Sequence, residues 1–235
     1  MLKQTALVSI DTAKSHRIIK SISYDQIQIM QDILQLYAPN GIELDPTYSI
    51  GNFYGRIPRP RYRYDLAPQM PEVTQADCRK LPHADNSIES INFDPPFLAT
   101  SLSKDQADYD KNSNRILNRF GFYKNMPELW QFYYDSLKEF HRILKPAGIL
   151  IFKCQDTISG GEQYLSHIEI INQAIAIGFY PVDIFVLLAK NRLIGQNGEN
   201  QQHARKFHSY FIVFRKDKTP ISYFNMSDVE RKKHE

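Results

Sequence analysis

Residues Ile88-Glu89-Ser90-Ile91-Asn92-Phe93 form an apolar stretch that runs directly into Asp94-Pro95-Pro96-Phe97. Two successive prolines fix φ and supply no N–H, so a strand over 88–93 has to stop there in a rigid turn. The turn leaves a carboxylate at the strand end, prolyl carbonyls with no strand to pair with, and an aromatic face just beyond. Those parts suit an exocyclic amine on a flat ring. Asp94 is one acceptor, the carbonyl of Pro95 or Pro96 is the second, and Phe97 stacks on the ring. An ordinary strand exit is the alternative reading, because Asp-Pro pairs start turns in many loops.

The rest of the chain alternates helix and strand. Ser23 is placed to cap a helix over about 24–37, with Ile27, Met30, Leu34 and Tyr37 on one side and Pro39-Asn40-Gly41 at its end. Short strands are expected at about 41–45, 62–64 and 73–76. A helix opening at Pro127 carries Leu129, Phe132, Tyr133, Leu137, Phe140 and Leu144, and Lys145-Pro146-Ala147-Gly148 stops it. Ile149-Leu150-Ile151-Phe152 reads as a strand buried on both faces. A helix over about 163–177 ends at Gly178, and strands follow at about 182–188 and 209–215. This rhythm predicts an α/β fold: a Rossmann-like, doubly wound, mostly parallel seven-stranded sheet with a terminal antiparallel hairpin. With 235 residues and 42% hydrophobic content, one domain is expected, its core at about 23–215 and a polar tail at 216–235.

No run reaches the length of a membrane span and the N-terminus lacks a secretory apolar core, so a cytoplasmic protein with no membrane contact is expected. The two cysteines, Cys78 and Cys154, stand without CxxC or histidine spacing, which argues against a metal site and for buried thiols. The net charge of +3 falls short of a dedicated nucleic-acid arm. Its distribution matters more. Arg56, Arg59, Arg61 and Arg63 form one group. Lys104, Lys111, Arg115, Arg119 and Lys124 form a second, and Lys190, Arg192, Arg205 and Lys206 a third. Three such groups in loop-like segments, interleaved with Tyr and Phe and two of them in the long polar segments 98–125 and 190–208, point to phosphate-backbone contact, against the plainer reading of solvated surface.

In an open α/β sheet, ligands sit beyond the carboxyl ends of the strands, where Asp45, Asp65 and Asp77 fall. Asp65 follows Asp45 by twenty residues, a separation suited to accepting from ribose hydroxyls. Asp77 is placed to accept from an adenine amino group. Each could alone be a turn or cap residue.

With these pieces in order, the chain resembles the class I S-adenosylmethionine-dependent methyltransferases, and more narrowly the amino-methyltransferases acting on adenine N6 or cytosine N4 of DNA. The resemblance runs from about 41 to 215. Its pieces are Glu43-Leu44-Asp45-Pro46-Thr47-Tyr48, Ala76-Asp77 with Leu81-Pro82, Asp94-Pro95-Pro96-Phe97 and the run from Phe140 to Ile151. The chain is also similar to small phage- or prophage-type proteins described as DNA methyltransferases. The resemblance implies S-adenosyl-L-methionine as cofactor, held by Asp45, Thr47, Tyr48, Gly51, Asp65, Asp77 and Cys78. It implies Asp94, Pro95, Pro96 and Phe97 as the catalytic turn. Lys153, Arg115, Arg119, Arg205 and Lys206 would meet the substrate, and Gln155 and Asp156 could line the target pocket, although a plain strand-end role serves them and Lys153 equally well.

Two departures stand out. The glycine loop carries only Gly51 and Gly55, and no separate target-recognition domain is expected, since only 98–125 and 190–208 are left to read a target. Specificity is then short, or comes from a specificity subunit or a homodimer. The partner read from the chain is nucleic acid, DNA ahead of RNA, with adenine N6 as the main target. RNA adenine N6 or guanine N2, cytosine N4, and a noncatalytic binding relative are the alternatives.

Overall fold

The four-residue apolar run at 149–152 is the middle of a much longer strand, and the sheet is built outward from it. A computed structural model describes residues 17–99, 123–190 and 202–216. Most of the two long polar segments, with Arg115 and Arg119, and nearly all of the polar tail lie outside the described residues.

The elements are β1 (Ile22–Ser23), α1 (Gln26–Tyr37), β2 (Leu44–Asp45), β3 (Tyr62–Asp65), β4 (Thr74–Gln75), β5 (Ile88–Phe93), α2 (Met126–Ile143), β6 (Leu144–Cys154), β7 (Thr157–Ser159), β8 (Glu162–Tyr164), α3 (Ser166–Ile177), β9 (Phe179–Leu188) and β10 (His208–Lys216). The main sheet has eight strands in the order β1-β9-β10-β6-β5-β2-β3-β4. β10 runs antiparallel to both neighbours, β6 and β9, while the other pairs are parallel. Apart from the two-residue β1, this is the seven-stranded Rossmann-like core expected from the sequence, closed by its antiparallel hairpin.

Burial on both faces explains the unbroken apolar strands. Along β6, Leu150, Phe152 and Cys154 join one core with Leu129, Tyr133 and Phe140 of α2 and Ile170 of α3. The intervening Ile149 and Ile151 join a second core with Ile29, Met30 and Ile33 of α1. Period-2 alternation thus feeds two helical layers at once, which is why a polar/apolar alternation is missing from the sequence.

The helix ends show where local chemistry overrides pattern. Asp25, not Ser23, caps α1: its carboxylate accepts from Ile27 N at 2.8 Å and Gln28 N at 3.4 Å. Ser23 ends β1 instead. The buried stripe of α1 is centred on Ile29, Met30 and Ile33, with Ile27, Leu34 and Tyr37 at its margins. α2 is capped by Asn125, whose side chain accepts from Glu128 N at 2.9 Å, with Pro127 in the first turn. α3 starts at Ser166 rather than 163, because residues 157–164 make the β7–β8 hairpin around Gly160-Gly161. It stops at Gly178, whose φ of 114° lets its N–H reach Ala174 O and Ile175 O.

Lys145-Pro146-Ala147-Gly148 ends the helix as expected, yet belongs to β6. Ile88 pairs with Leu144 and Ser90 with Ile149, so β6 spends five residues where β5 spends two. The excess is absorbed at exposed Ala147, which takes a left-handed φ of 62°. An L-residue is strained there and glycine is not. Ala147→Gly is therefore expected to stabilise the protein by about 0.5–1 kcal/mol, seen as a higher denaturant midpoint with unchanged m-value.

Candidate active site

The chain winds outward from β2 to β3 and β4, then returns to lay β5 on the other side of β2. β2 and β5 are neighbours, Leu44 opposite Ile91, so the crevice beyond their carboxyl ends is a topological switch point. Asp45, Thr47 and Asp94 all stand there.

Asp45 is 1% exposed. One carboxylate oxygen accepts from Thr47 N at 2.8 Å and from the Thr47 hydroxyl at 3.3 Å. The other accepts from the Tyr54 hydroxyl at 2.6 Å and from Asn92 Nδ2 at 3.3 Å. The Thr47 hydroxyl in turn accepts from Asp94 N at 3.1 Å, which ties the loop after β2 to the turn after β5. Asp45 was expected to contact a cofactor directly; its carboxylate is instead committed to these internal partners. Tyr48 is likewise inside, 2% exposed and stacked on Tyr54 with ring centroids 5.7 Å apart. Its hydroxyl is buried, has no hydrogen-bond partner among the described residues, and lies against Gly51, where a Cβ would come within 2.4 Å of it. Gly51, at φ 72°, is thus required by both backbone and space.

On one flank of the switch point lies a cleft lined by Thr47, Asp65, Asp77, Arg79, Pro96 and Phe132. Asp65, at the end of β3, accepts from Ser49 N at 2.9 Å and Ala67 N at 2.8 Å, so it orders the loop as well as facing the cleft. Asp77 is paired through both oxygens with Arg79, whose guanidinium sits 5.8 Å from the Phe132 ring. Those hydrogen bonds hold the Asp77 carboxyl below the usual carboxylate range. The Cys78 thiol turns inward to Ser136 at 3.4 Å and burial pushes it up to about 12, so it is not a reactive thiolate.

A second hollow, lined by Thr47, Ser49, Phe53, Asp94 and Lys153, opens in front of the switch point. It shares Gln26 and Lys153 with a third, lined further by Tyr24, Phe97, Gln155 and His208. The three form a furrow along the carboxyl edge of the sheet with Asp94 at its middle. Burial of the Asp94 carboxyl raises its pKa, and Lys153 acts in the opposite direction. Pro96 O accepts from the Tyr133 hydroxyl, and among the described residues Pro95 O has no such partner.

Gln155 lines the third hollow and donates to His208 O at 2.6 Å. Asp156 does not join it: buried at 4% exposure, it meets His167 Nδ1 at 2.8 Å and the Tyr210 hydroxyl at 3.4 Å. Arg205 is exposed and Lys206 half-buried in the segment before β10, and neither lines the furrow. Sequence reasoning missed Gln26, Tyr54, Asn92 and Tyr133. Asn92 was the traceable one, a polar side chain inside the apolar run 88–93. Among the described residues no group of three or more His, Cys, Asp or Glu could hold a metal ion, and no helix is long and apolar enough to cross a membrane.

No family model matches the chain, and no curated protein matches it. Solved structures do. A Thermus thermophilus protein solved in complex with S-adenosyl-L-methionine aligns over 61% of this chain and 54% of its own, at 16% identity and a TM-score of 0.42. PvuII DNA methyltransferase, described as cytosine-N4-specific, aligns over 62% and 49% at 15% identity and a TM-score of 0.45. TrmN from Thermus thermophilus aligns over 80% and 48% at 17% identity and a TM-score of 0.46. This chain spans about half the length of these structures. At such identities and scores the likeness concerns the fold, and the function has to be argued from the furrow.

One consequence of the buried hub is a pH dependence of stability. Burial pushes the Asp45 carboxyl from 3.8 up to about 6, against the hydrogen bonds from Tyr54, Thr47 and Asn92 and with the Asp94 charge adding to the rise. The folded state therefore binds more protons than the unfolded one between about pH 4 and 6, and stability falls as pH rises through that window. Asp45→Asn keeps the acceptor for Thr47 and removes the charge, but sets an amide donor against Asn92 Nδ2. It is expected to be less stable than the parent by roughly 1–3 kcal/mol near pH 4 and to lack the parent's fall in stability between about pH 4 and 6. Thermal unfolding of both proteins across pH 3.5–8 checks this.

Proposed function

We propose that this chain transfers a methyl group from S-adenosyl-L-methionine to the exocyclic amine of a nucleobase in a nucleic acid. The observation that carries the reading is the Asp94-Pro95-Pro96-Phe97 turn at the switch point, with a carboxylate-bearing cleft on one side and an aromatic hollow on the other. The cleft residues fit the cofactor's chemistry. Asp65 offers acceptor oxygens for hydroxyls, and Thr47 lines the same cleft at the start of the loop that Gly51 and the buried Tyr48 keep close-packed. Asp77 would accept from an amino group only by sharing its carboxylate with Arg79, and Cys78 would contribute its backbone alone. Asp45 and Tyr48 act by holding the loop.

The bound cofactor supplies a methyl group already activated by its sulfonium charge, so the protein has to orient a nucleophile rather than provide a strong base. Asp94 accepts one N–H of the amine. Pro95 O is the second acceptor, since Tyr133 already uses Pro96 O. The nitrogen lone pair is then turned away from both, toward the methyl. Phe97 holds the ring in a hollow it shares with Lys153, Gln155 and His208. In duplex DNA the base is first flipped out, at a cost of about a few kcal/mol. The furrow asks for a flat ring bearing an amine and is indifferent to the polymer. Adenine and cytosine in DNA and adenine and guanine in RNA are therefore separate arms of one assay, and cytoplasmic action with a specificity chain or a second copy belongs to the same proposal.

Methyl transfer from radiolabelled cofactor to unmodified DNA and RNA tests the reading; no incorporation into either polymer would sink it. Asp94→Ala is expected to keep the fold and cofactor affinity while turnover falls by about two orders of magnitude or more, because the lost contact orients the amine in the transition state. Asp65→Ala is expected to weaken cofactor binding by roughly 1.5–3 kcal/mol in a calorimetric titration, the scale of charge-assisted hydrogen bonds. Unchanged affinity would move the hydroxyl contact elsewhere.

A further inference from the structure

β6 is fully buried at Ile151, Phe152 and Cys154, yet carries a lysine among them. An ammonium taken from water is costly unless paired, and a lysine stem near a sheet edge would ordinarily carry its charge out to solvent. Lys153 instead stays in, its side chain 13% exposed. Its Nζ lies 3.4 Å from the Asp94 carboxylate and 3.1 Å from Gln26 Oε1 of α1. It also stands over three aromatic rings, 5.3 Å from the Phe53 centroid and 5.6 Å from those of Phe97 and Phe211. Gln26 is itself anchored, donating to Phe53 O at 3.2 Å. The ammonium is thus held by α1, by the loop after β2, by the turn after β5 and by β10.

The charged and titratable groups around Asp94 can be named element by element. β6 brings the Lys153 cation, and β2 brings the Asp45 carboxylate, which feels the Asp94 charge. α2 brings the Tyr133 hydroxyl, committed to Pro96 O, and α1 brings only the neutral Gln26. Among the described residues, Lys153 is the cation that offsets burial of Asp94.

We infer that Lys153 is a positioning residue that keeps Asp94 ionised and aimed, and that by cancelling its charge it restricts the site to amines that are neutral when they bind. This rests on the methyl-transfer reading above. A protonated Asp94 would be a donor and could not accept an N–H of the incoming amine. An alkylammonium entering the hollow would meet a carboxylate already paired and a second cation beside it. A ring-attached amine, uncharged at neutral pH, meets an acceptor and aromatic faces.

The test uses the Asp94 carboxyl as its own probe, followed by ¹³C NMR in the full chain and assigned with Asp94→Asn, so it requires no methyl transfer. In Lys153→Met the Asp94 titration is expected to move up by about one to two pH units, and in Lys153→Arg to stay near the parent value. Lys153→Gln serves as a second neutral variant where the methionine chain unfolds. Butylammonium is expected to shift the Asp94 resonance in the neutral variants and not in the parent at the same concentration. In the turnover arm, the acid limb of the pH profile moves up with the titration in Lys153→Met, cofactor KM is unchanged, and arginine restores the limb. An unmoved Asp94 titration, a parent that responds to butylammonium as the variants do, or a variant defective only in cofactor affinity would overturn the inference. A parent that methylates no nucleic acid would remove the functional reading while leaving the titration to decide the role of Lys153.

Discussion

A buried carboxylate with four hydrogen bonds joins the two halves of this sheet. Asp45 fills the gap at which the strand order reverses, and its three partners come from two stretches: Thr47 and Tyr54 from the following loop, and Asn92 from the returning strand. Desolvating such a group costs several kcal/mol unless hydrogen bonds replace water, and the four made here offset that cost only in part, since burial still raises the carboxyl's pKa. These bonds tie the loop 46–55 to β5, with Tyr48 and Tyr54 stacked and Gly51 against the Tyr48 ring. The turn after β5 inherits its position from that loop, because Asp94 N donates to the Thr47 hydroxyl.

From this hub two carboxylates and an ammonium follow one another along the carboxyl ends of the strands. Asp45 is interior and pushed toward protonation, Asp94 is half-buried beside it, and Lys153 lies beyond. The Asp94 charge raises the Asp45 carboxyl and Lys153 lowers that of Asp94, so the three are better regarded as one unit than as separate residues. The arrangement separates a support from a working group: the innermost carboxylate holds structure and the outer one faces the furrow.

Much of the sheet was legible in the sequence because long apolar runs and helix signals are strong where both faces are buried. The strands at 88–93 and 149–152, the helix opening at Pro127 and the stop at Gly178 were all read from residues that later prove fully buried or capping. The short elements were not. β1 has two residues and exists only by pairing with Val186 and Leu187, and the β7–β8 hairpin takes residues from what looked like the start of a helix. Polar roles were harder still. Nothing in the spacing tells that Asp45 points inward while Asp65 also orders a loop, or that Arg79 occupies Asp77. The Tyr133 bond to Pro96 was hidden because a tyrosine on a helix stripe reads as core. Arg115 and Arg119, on which the case for phosphate contact partly leaned, lie outside the described residues.

The Tyr133 contact has an implication for how portable such a site is. Asp94-Pro95-Pro96-Phe97 is a short, rigid tetrapeptide, and it is tempting to regard it as a self-contained module. Its pose is nevertheless set from outside by Thr47 on the backbone N–H, Tyr133 on a prolyl carbonyl and Lys153 on the carboxylate, each from a different element. Moved alone into another α/β sheet, the tetrapeptide would carry its prolines and lose its aim. A transplant that kept the aim would have to carry the turn together with a threonine, a tyrosine and a lysine dispersed over more than a hundred residues.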